Sequence, residues 1–259
     1  MSARFERGLI FVDASVYGTP GVFMLDTGAA ATVVDPHFAM AARLHLGRAR
    51  DVTGRGGDIG ARQVEPAPLA LVGGPQARIA PLMVDLSQAS HAMGVPLAGI
   101  LGEDFLRRFV ITLDYRDQTL AFADDVVDPP DATPIRMGDA PYVPARVTLG
   151  QRTADGEFEI DTGSNTAVEF WRSFADAHLG RGLGARAIGL GVAGETFVAN
   201  GRIDALEVAG RRIENLDVNF ADDTRNDDAG PRYGGVIGGP AWRGLVVTLD
   251  LPRRRMWVR

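Results

Sequence analysis

Apolar and polar residues alternate along most of this chain, in short runs bounded by glycine, proline or aspartate. Alternation with a period of two is typical of β-strands that bury one face, whereas helices place apolar residues three and four positions apart. The alternating runs predict strands at residues 9–17, 22–26, 69–72, 110–114 and 119–122, and again at residues 143–149, 157–161, 206–209, 246–250 and 256–258.

Helical spacing is confined to short stretches. Residues 36–46 and 168–179 carry apolar side chains at helical intervals, and Pro36 suits the first turn of a helix. A further short helix is expected after Gly102 and another after Gly238. The pattern therefore predicts an all-β protein with a few short helices.

The order of these elements repeats once. FMLDTGA at residues 23–29 recurs as FEIDTGS at 158–164, and ILG at 100–102 recurs as VIG at 236–238. GRGGD at residues 54–58 has its counterpart in GVAGE at 191–195, and TLD at 112–114 recurs at 248–250. All four pairs are separated by 135 to 137 residues. Four matches in one order and at one spacing indicate a duplicated unit.

The duplication predicts how the chain is divided. We expect an N-terminal lobe at residues 1–123, a connector rich in proline and aspartate at residues 124–140, and a C-terminal lobe at residues 141–259. Proline and aspartate favour exposed, extended connections, so the boundary is placed near Pro130.

Composition limits the chemistry available to the chain. Its 259 residues are 46% hydrophobic and 23% charged, which is ordinary for a globular protein. All 27 basic residues are arginine and cysteine is absent, which excludes a catalytic lysine, a thiolate nucleophile and cysteine-ligated zinc. The four histidines do not have metal-ligand spacing, so neither a metal nor a cofactor is expected.

Charge and hydropathy limit the partners. The formal charge of −6 argues against nucleic acid as a partner. No run approaches the roughly 18 apolar residues of a membrane span, so no span is predicted. Residues 1–8 lack the apolar core of a signal peptide, and a chain without cysteine suits the cytosol and the periplasm alike.

Each copy of the repeat places Asp-Thr-Gly directly after an apolar strand, at Asp26 and at Asp161. A carboxylate in such a position is costly to bury without partners. Glycine allows a tight turn that supplies backbone N–H groups, and threonine can hydrogen-bond to the matching loop. A pseudo-twofold axis would bring the two carboxyls together, and a pair about 3 Å apart shares one proton and can activate a water.

These motifs resemble those of the pepsin and retropepsin class of aspartic proteases, in particular its short two-lobed bacterial members. The resemblance covers residues 9–258 and rests on both Asp-Thr-Gly segments, on ILG and VIG, and on FLRRF at residues 105–109 before Leu113 and Asp114. It implies a bilobal acid-protease fold with pseudo-twofold symmetry, in which each apolar-apolar-Gly strand passes under an active-site loop. It also implies an endopeptidase that binds an extended peptide between the lobes.

The resemblance assigns roles to individual residues. Asp26 and Asp161 become the catalytic pair, Thr27 and Thr162 brace the two loops against each other, and Gly28 and Gly163 shape them. The first motif ends in Ala29, as in retroviral enzymes, and the second in Ser164, as in pepsin-like enzymes. A hydrogen bond from Ser164 to its neighbouring aspartate would make the pair asymmetric.

Two glycine-rich hairpins are expected to fold over the substrate. Their candidate substrate-binding residues are Gly54, Arg55, Gly56, Gly57, Gly191, Val192, Ala193 and Gly194. The first hairpin, at residues 52–59, lacks the aromatic residue that pepsin-like enzymes carry there.

Other interpretations of the same motifs remain open. GLGVAG at residues 189–194 matches a dinucleotide-binding fingerprint, but the strand-like pattern after it favours a hairpin. Asp114 and Asp250 also repeat, and we expect them to cap turns. A chain that kept this fold and lost turnover would be a peptide-binding or scaffolding module. Because one chain holds both Asp-Thr-Gly loops, we expect a monomer that acts on a peptide or protein.

Overall fold

The structure is a computed structural model, and it describes residues 1–54, 57–127, 129–180, 186–191, 194–222 and 230–259. Within these ranges most residues lie in strands and the helices are short, which confirms the all-β prediction. Two curled sheets, one from each half of the chain, give the bilobal architecture that the repeat predicted.

The first curled sheet comes from the N-terminal half. Its strands are β1 (Arg4–Glu6), β2 (Leu9–Val16), β3 (Thr19–Leu25), β4 (Val33–Val34), β5 (Leu46–Gly54), β6 (Gly57–Val64), β7 (Ala67–Leu71), β8 (Gln76–Ile79), β9 (Leu82–Met83) and β10 (Leu97–Leu101). Its helices are α1 (Pro36–Ala41), α2 (Ser87–Met93) and α3 (Glu103–Leu106). The strands are ordered β5-β6-β9-β4-β10-β3-β2-β7-β8, with β1 paired to β2. β10 runs parallel to β3 and antiparallel to β4.

The rest of the chain supplies the second curled sheet and a sheet between the two. Its strands are β11 (Val110–Asp114), β12 (Thr119–Ala123), β13 (Thr133–Pro134), β14 (Arg136–Met137), β15 (Pro141–Leu149), β16 (Arg152–Asp161), β17 (Val168–Phe170), β18 (Arg186–Gly191), β19 (Gly194–Val208), β20 (Arg211–Ala221), β21 (Tyr233–Gly238), β22 (Val246–Asp250) and β23 (Arg255–Val258). Helix α4 (Arg172–Phe174) continues as a π-helical turn at Ala175–Leu179, and a 3₁₀ turn covers Gly239–Trp242.

The second curled sheet repeats the key arrangement of the first. Its order is β14-β15-β16-β21-β17-β20-β19-β18, and an extra pairing of β15 with β19 closes it on itself. β21 runs parallel to β16 and antiparallel to β17, as β10 does to β3 and β4. The strand that precedes each Asp-Thr-Gly loop thus has the same neighbours in both halves.

A five-stranded sheet with the order β12-β11-β22-β23-β13 joins the halves. β11 pairs antiparallel with β22 so that Val110 faces Asp250 and Asp114 faces Val246. At the centre of this register Thr112 faces Thr248, and their hydroxyl oxygens lie 3.1 Å apart. The pseudo-twofold axis therefore passes between these two threonines.

Two strands lie within the predicted connector at residues 124–140. β13 pairs with β23 in the shared sheet, and β14 pairs with β15 in the second curled sheet. The lobe boundaries at residues 123 and 141 stay a prediction.

The helix predictions were only partly correct. Helix α1 begins at Pro36, where the Asp35 carboxylate accepts a hydrogen bond from the His37 N–H, but it ends before residue 46 because Arg43 adopts a left-handed conformation. The helix predicted at residues 168–179 was wrong in its first part, where β17 pairs with β20 and β21. β17 has only three residues, all of them buried, and so short a run does not mark a strand by its periodicity. Short helical turns do follow Gly102 and Gly238, as predicted.

Candidate active site

The two Asp-Thr-Gly loops meet where the halves of the chain face each other. Asp26 follows β3 and Asp161 ends β16. Within each loop a glycine N–H donates to an Oδ1 of the aspartate, from Gly28 to Asp26 over 2.8 Å and from Gly163 to Asp161 over 2.7 Å. These bonds fix the direction of each carboxyl group.

Both glycines stand against the aspartate of the other loop. A Cβ atom added to Gly28 would lie 2.7 Å from Cγ of Asp161, and one added to Gly163 would meet the carboxyl group of Asp26. The carboxyls of Asp26 and Asp161 are themselves hydrogen-bonded to each other. A larger residue at either glycine would push the carboxyls apart.

The threonines of the two loops form a reciprocal hydrogen-bond network. The Thr27 N–H donates to Thr162 Oγ1 over 3.0 Å, and the Thr162 N–H donates to Thr27 Oγ1 over 3.1 Å. Each hydroxyl donates in turn to a carbonyl of the opposite strand, Thr27 to Ile160 over 2.6 Å and Thr162 to Leu25 over 2.9 Å. Both threonines are buried, so the loops are joined by bonds that are shielded from water.

The pKa of Asp26 is raised well above its ordinary value. Burial of the carboxyl is the largest cause, followed by the charge of Asp161 and the hydrogen bond between the two carboxyls. The N–H of Gly28 acts in the opposite direction, and the Glu159 carboxylate adds to the rise. The pair therefore keeps a proton at pH values where an isolated aspartate would be ionised.

The repeated apolar-apolar-Gly segments lie under the loops. The Asp26 N–H donates to the Leu101 carbonyl, and the Glu103 N–H donates to the Ala29 carbonyl over 2.8 Å. A Cβ atom on Gly102 would collide with the backbone of residues 29 and 31, and one on Gly238 with the backbone of residues 164 and 166. Glycine is needed at both positions because the strand passes directly against the loop.

Glu103 follows Gly102 and is completely buried. Among the described residues neither of its carboxyl oxygens has a hydrogen-bond partner, and the nearest guanidinium, of Arg107, lies 3.8 Å away. Burial raises the pKa of Glu103 to about 7, although Arg107 acts to lower it. The group is therefore neutral in the folded protein under mildly acidic conditions.

This raised pKa predicts how stability depends on pH. Below about pH 4.5, the ordinary value, the carboxyl is protonated in both states, and between pH 4.5 and 7 only the unfolded chain ionises. Stability should therefore fall as the pH rises through this range, by about 2 to 3 kcal/mol from this group. Glu103→Gln should remove that loss. Urea unfolding at pH 5 and pH 8 measures it, and an equal pH dependence in both proteins would contradict the prediction.

The structure also places the two glycine-rich hairpins. β5 pairs with β6 out to Gly54 and Gly57, and β18 pairs with β19 out to Gly191 and Gly194. The remaining candidates, at residues 55, 56, 192 and 193, lie outside the described residues. The described residues of GLGVAG lie in two paired strands, and β19 follows where a dinucleotide site requires a helix.

The hairpins differ in their side chains. Val52 and Ile59 form a half-buried cross-strand pair on the first hairpin, whereas Ile188 and Phe197 form an exposed pair on the second. The first hairpin carries no aromatic residue in its sequence, but the second does. The sequence prediction considered only the first hairpin in this respect.

Three of the remaining sequence predictions concern polar groups near turns. Asp114 accepts hydrogen bonds from the N–H groups of Arg116 and Asp117, and Asp250 accepts one from Arg253, so both cap turns as predicted. The Ser164 hydroxyl accepts a hydrogen bond from the Thr166 N–H over 3.3 Å. An asymmetry of the aspartate pair caused by Ser164 stays a prediction.

The sequence prediction missed Glu159. The structure places one of its carboxyl oxygens beside Gly28, 3.0 Å from where a Cβ atom would be and next to the Asp161 carboxyl. A signal was present, since the repeat has Met24 in FMLDTG where it has Glu159 in FEIDTG. A charged residue in a position that is apolar in the other copy was not recognised as part of the site.

Within the described parts of the chain, no three histidine or acidic side chains are grouped closely enough to hold a metal ion. In the same ranges no helix combines the length and the apolar character needed to cross a membrane.

The chain was compared with curated proteins and with protein families. No curated protein matches the chain. Residues 12–108 match the protein family described as "gag-polyprotein putative aspartyl protease". The matched segment contains Asp26, the first hairpin and the ILG strand, and such a family indicates protease activity in general. This match supports the resemblance of the chain to the retropepsin-like aspartyl proteases.

Proposed function

We propose that the protein is an aspartic endopeptidase in which Asp26 and Asp161 activate a water molecule. The observation that carries this proposal is the contact between the two carboxyls at the meeting point of the lobes, with the threonine network beneath them. A structural turn would not need this contact, because Asp114 caps its turn by accepting the N–H groups of residues 116 and 117.

The reaction needs one ionised and one protonated carboxyl. The ionised member takes a proton from the water as the water oxygen attacks the peptide carbonyl carbon, and the protonated member donates its proton to the carbonyl oxygen. The tetrahedral intermediate then collapses, the C–N bond breaks, and the leaving nitrogen takes a proton from the pair. One water is consumed, and one carboxylic acid and one amine are formed.

The substrate would lie extended between the lobes. An extended peptide offers backbone N–H and C=O groups along both edges, and paired strands are suited to bind them. The hairpins β5–β6 and β18–β19 supply such strands, one from each lobe. Because each lobe contributes one aspartate, a monomer contains the whole proposed site.

Incubation with a diverse peptide library between about pH 3 and pH 8, followed by mass spectrometry, tests the proposal. In H₂¹⁸O we expect new carboxyl termini that carry one ¹⁸O atom, because each cleavage consumes one water molecule. Binding of extended peptides without cleavage at any pH would overturn the proposal and identify a non-catalytic peptide-binding or scaffolding module instead.

A further inference from the structure

On each side of the aspartate pair, three neighbouring strands place one side chain each next to the pair, and we call each group of three a wall. The two walls have equivalent backbone positions but different side chains. In the first lobe Met24 faces Phe11 on β2 and Ile100 on β10. In the second lobe the same registers place Glu159 opposite Tyr142 on β15 and Val236 on β21. The pseudo-twofold axis thus relates an apolar group of three side chains to a group that contains an acid and a phenol.

The wall of the first lobe is apolar. Met24, Phe11 and Ile100 are buried in a cluster of their own, separate from the main core. Val52 and Ile59 of the first hairpin pack against this cluster. A substrate side chain on this side of the pair would meet the half-buried Val52 and Ile59, which pack against this cluster.

The wall of the second lobe carries charged side chains. Phe158 and Ile160 are completely buried, so the alternation of β16 puts Glu157, Glu159 and Asp161 on its other face. Glu157 is bound by Arg136 over 2.8 Å and by Arg232. Glu159 lies between this ion-paired residue and Asp161, with its carboxyl beside Gly28 of the opposite lobe.

The charge of Glu159 raises the pKa values of two neighbouring groups. It raises the pKa of the Tyr142 phenol, after the larger effect of burial, and it adds to the raised pKa of Asp26. Its carboxylate is half-buried at the pair, where water screens charges less than at an open surface. Any group bound across the aspartates is therefore exposed to its field.

We propose that Glu159 makes the enzyme select a cationic side chain, arginine or lysine, in one of the two substrate residues that flank the cleaved bond, while the apolar wall accepts an apolar side chain in the other. This inference rests on the proposed function. A substrate cation would form a charge-assisted hydrogen bond with Glu159, whereas an acidic side chain would be repelled by it.

Peptides that differ in one side chain test this selection. The probes are quenched fluorescent peptides with arginine, citrulline or glutamate at each residue flanking the cleaved bond, since citrulline keeps the shape of arginine without its charge. At one of the two positions we expect kcat/KM to be at least about tenfold higher for arginine than for citrulline, with glutamate lowest. High salt should reduce the preference.

Glu159→Gln should lower the ratio of kcat/KM for the arginine peptide to that for the citrulline peptide to nearly one. Because Glu159 also adds to the raised pKa of Asp26, the ratio is compared at the optimum pH of each protein. Glu159→Met, which copies Met24, should favour an apolar residue instead. Glu207→Gln is the matched control, because it removes the same charge from an exposed ion pair with Arg212 and should leave the ratio unchanged. A loss of folding would lower cleavage of both peptides together and would leave the ratio as it was.

The outcomes separate this inference from the proposed function. If the wild-type protein cleaves no peptide, the proposed function fails. If it cleaves peptides with equal kcat/KM for arginine and citrulline at both positions, or if Glu159→Gln keeps the arginine preference, the selection by Glu159 is overturned and the endopeptidase proposal stands.

Discussion

Replacement of either Asp26 or Asp161 by asparagine is expected to lower kcat for peptide hydrolysis by a factor on the order of 10³ to 10⁴ or more. Asparagine keeps the shape and one oxygen for the glycine N–H, but it neither accepts the proton of water nor donates an acidic proton. Because the variant removes a raised carboxyl pKa and the repulsion behind it, Asp26→Asn should not reduce the free energy of unfolding at neutral pH. Steady-state cleavage and urea unfolding measure the two quantities.

Asp114→Asn is the matched control for these variants. Asp114 also belongs to the repeat and also precedes a turn, but its hydrogen bonds come from the N–H groups of residues 116 and 117 and from the Arg116 guanidinium. We expect normal kcat from this variant. Cleavage by Asp26→Asn or Asp161→Asn at more than about a tenth of the wild-type rate would contradict the assignment of the pair.

Thr162→Val should lower the free energy of unfolding by about 2 to 4 kcal/mol. Valine has the shape of threonine, so the change leaves the Thr27 N–H without its acceptor and the Leu25 carbonyl without its donor, both in a buried place. Because these bonds cross between the lobes, the carboxyls should also lose their fixed spacing and kcat should fall. Urea unfolding and cleavage kinetics measure both effects, and Thr162→Ser, which keeps the hydroxyl, should restore most of each.

The other threonine pair on the pseudo-twofold axis provides the control. Thr112 and Thr248 bond through their hydroxyls alone, at 3.1 Å. Thr112→Val leaves no backbone group of that pair without a partner, so we expect a loss of about 1 kcal/mol or less and an unchanged kcat. Equal losses from Thr112→Val and Thr162→Val would show that the network beneath the aspartates has no special role.

The repeat predicted most of the architecture because both copies carry the same signals at the same spacing. The Asp-Thr-Gly loops, the ILG and VIG strands and the closing pairs at residues 110–114 and 246–250 all stand where the sequence placed them. Such predictions succeed for half-buried strands and for glycines at close backbone approaches. The strands are visible as apolar–polar alternation, and the glycines as a residue type that no other residue can replace.

Prediction from the sequence failed where the burial or the chemistry of a residue depends on residues far away in the chain. Val168, Glu169 and Phe170 form a strand of only three residues, all buried, and so short a run is not separated from part of a helix by its periodicity. Glu103 is neutralised by burial that only the folded chain provides. The sequence did not indicate a role for Glu159, because its position beside Gly28 depends on how the two halves of the chain meet.

The reciprocal bonds of Thr27 and Thr162 have a consequence for how the protein folds. They join residues 135 positions apart, so the chain must close a very long loop before any of them forms. Each curled sheet can form from contacts within its own half, whereas the bonds beneath the aspartates wait for the two halves to dock. During refolding, proteolytic activity should therefore return last, after strand structure has formed, and a nascent chain would carry its first aspartate inactive until the second half has been synthesised.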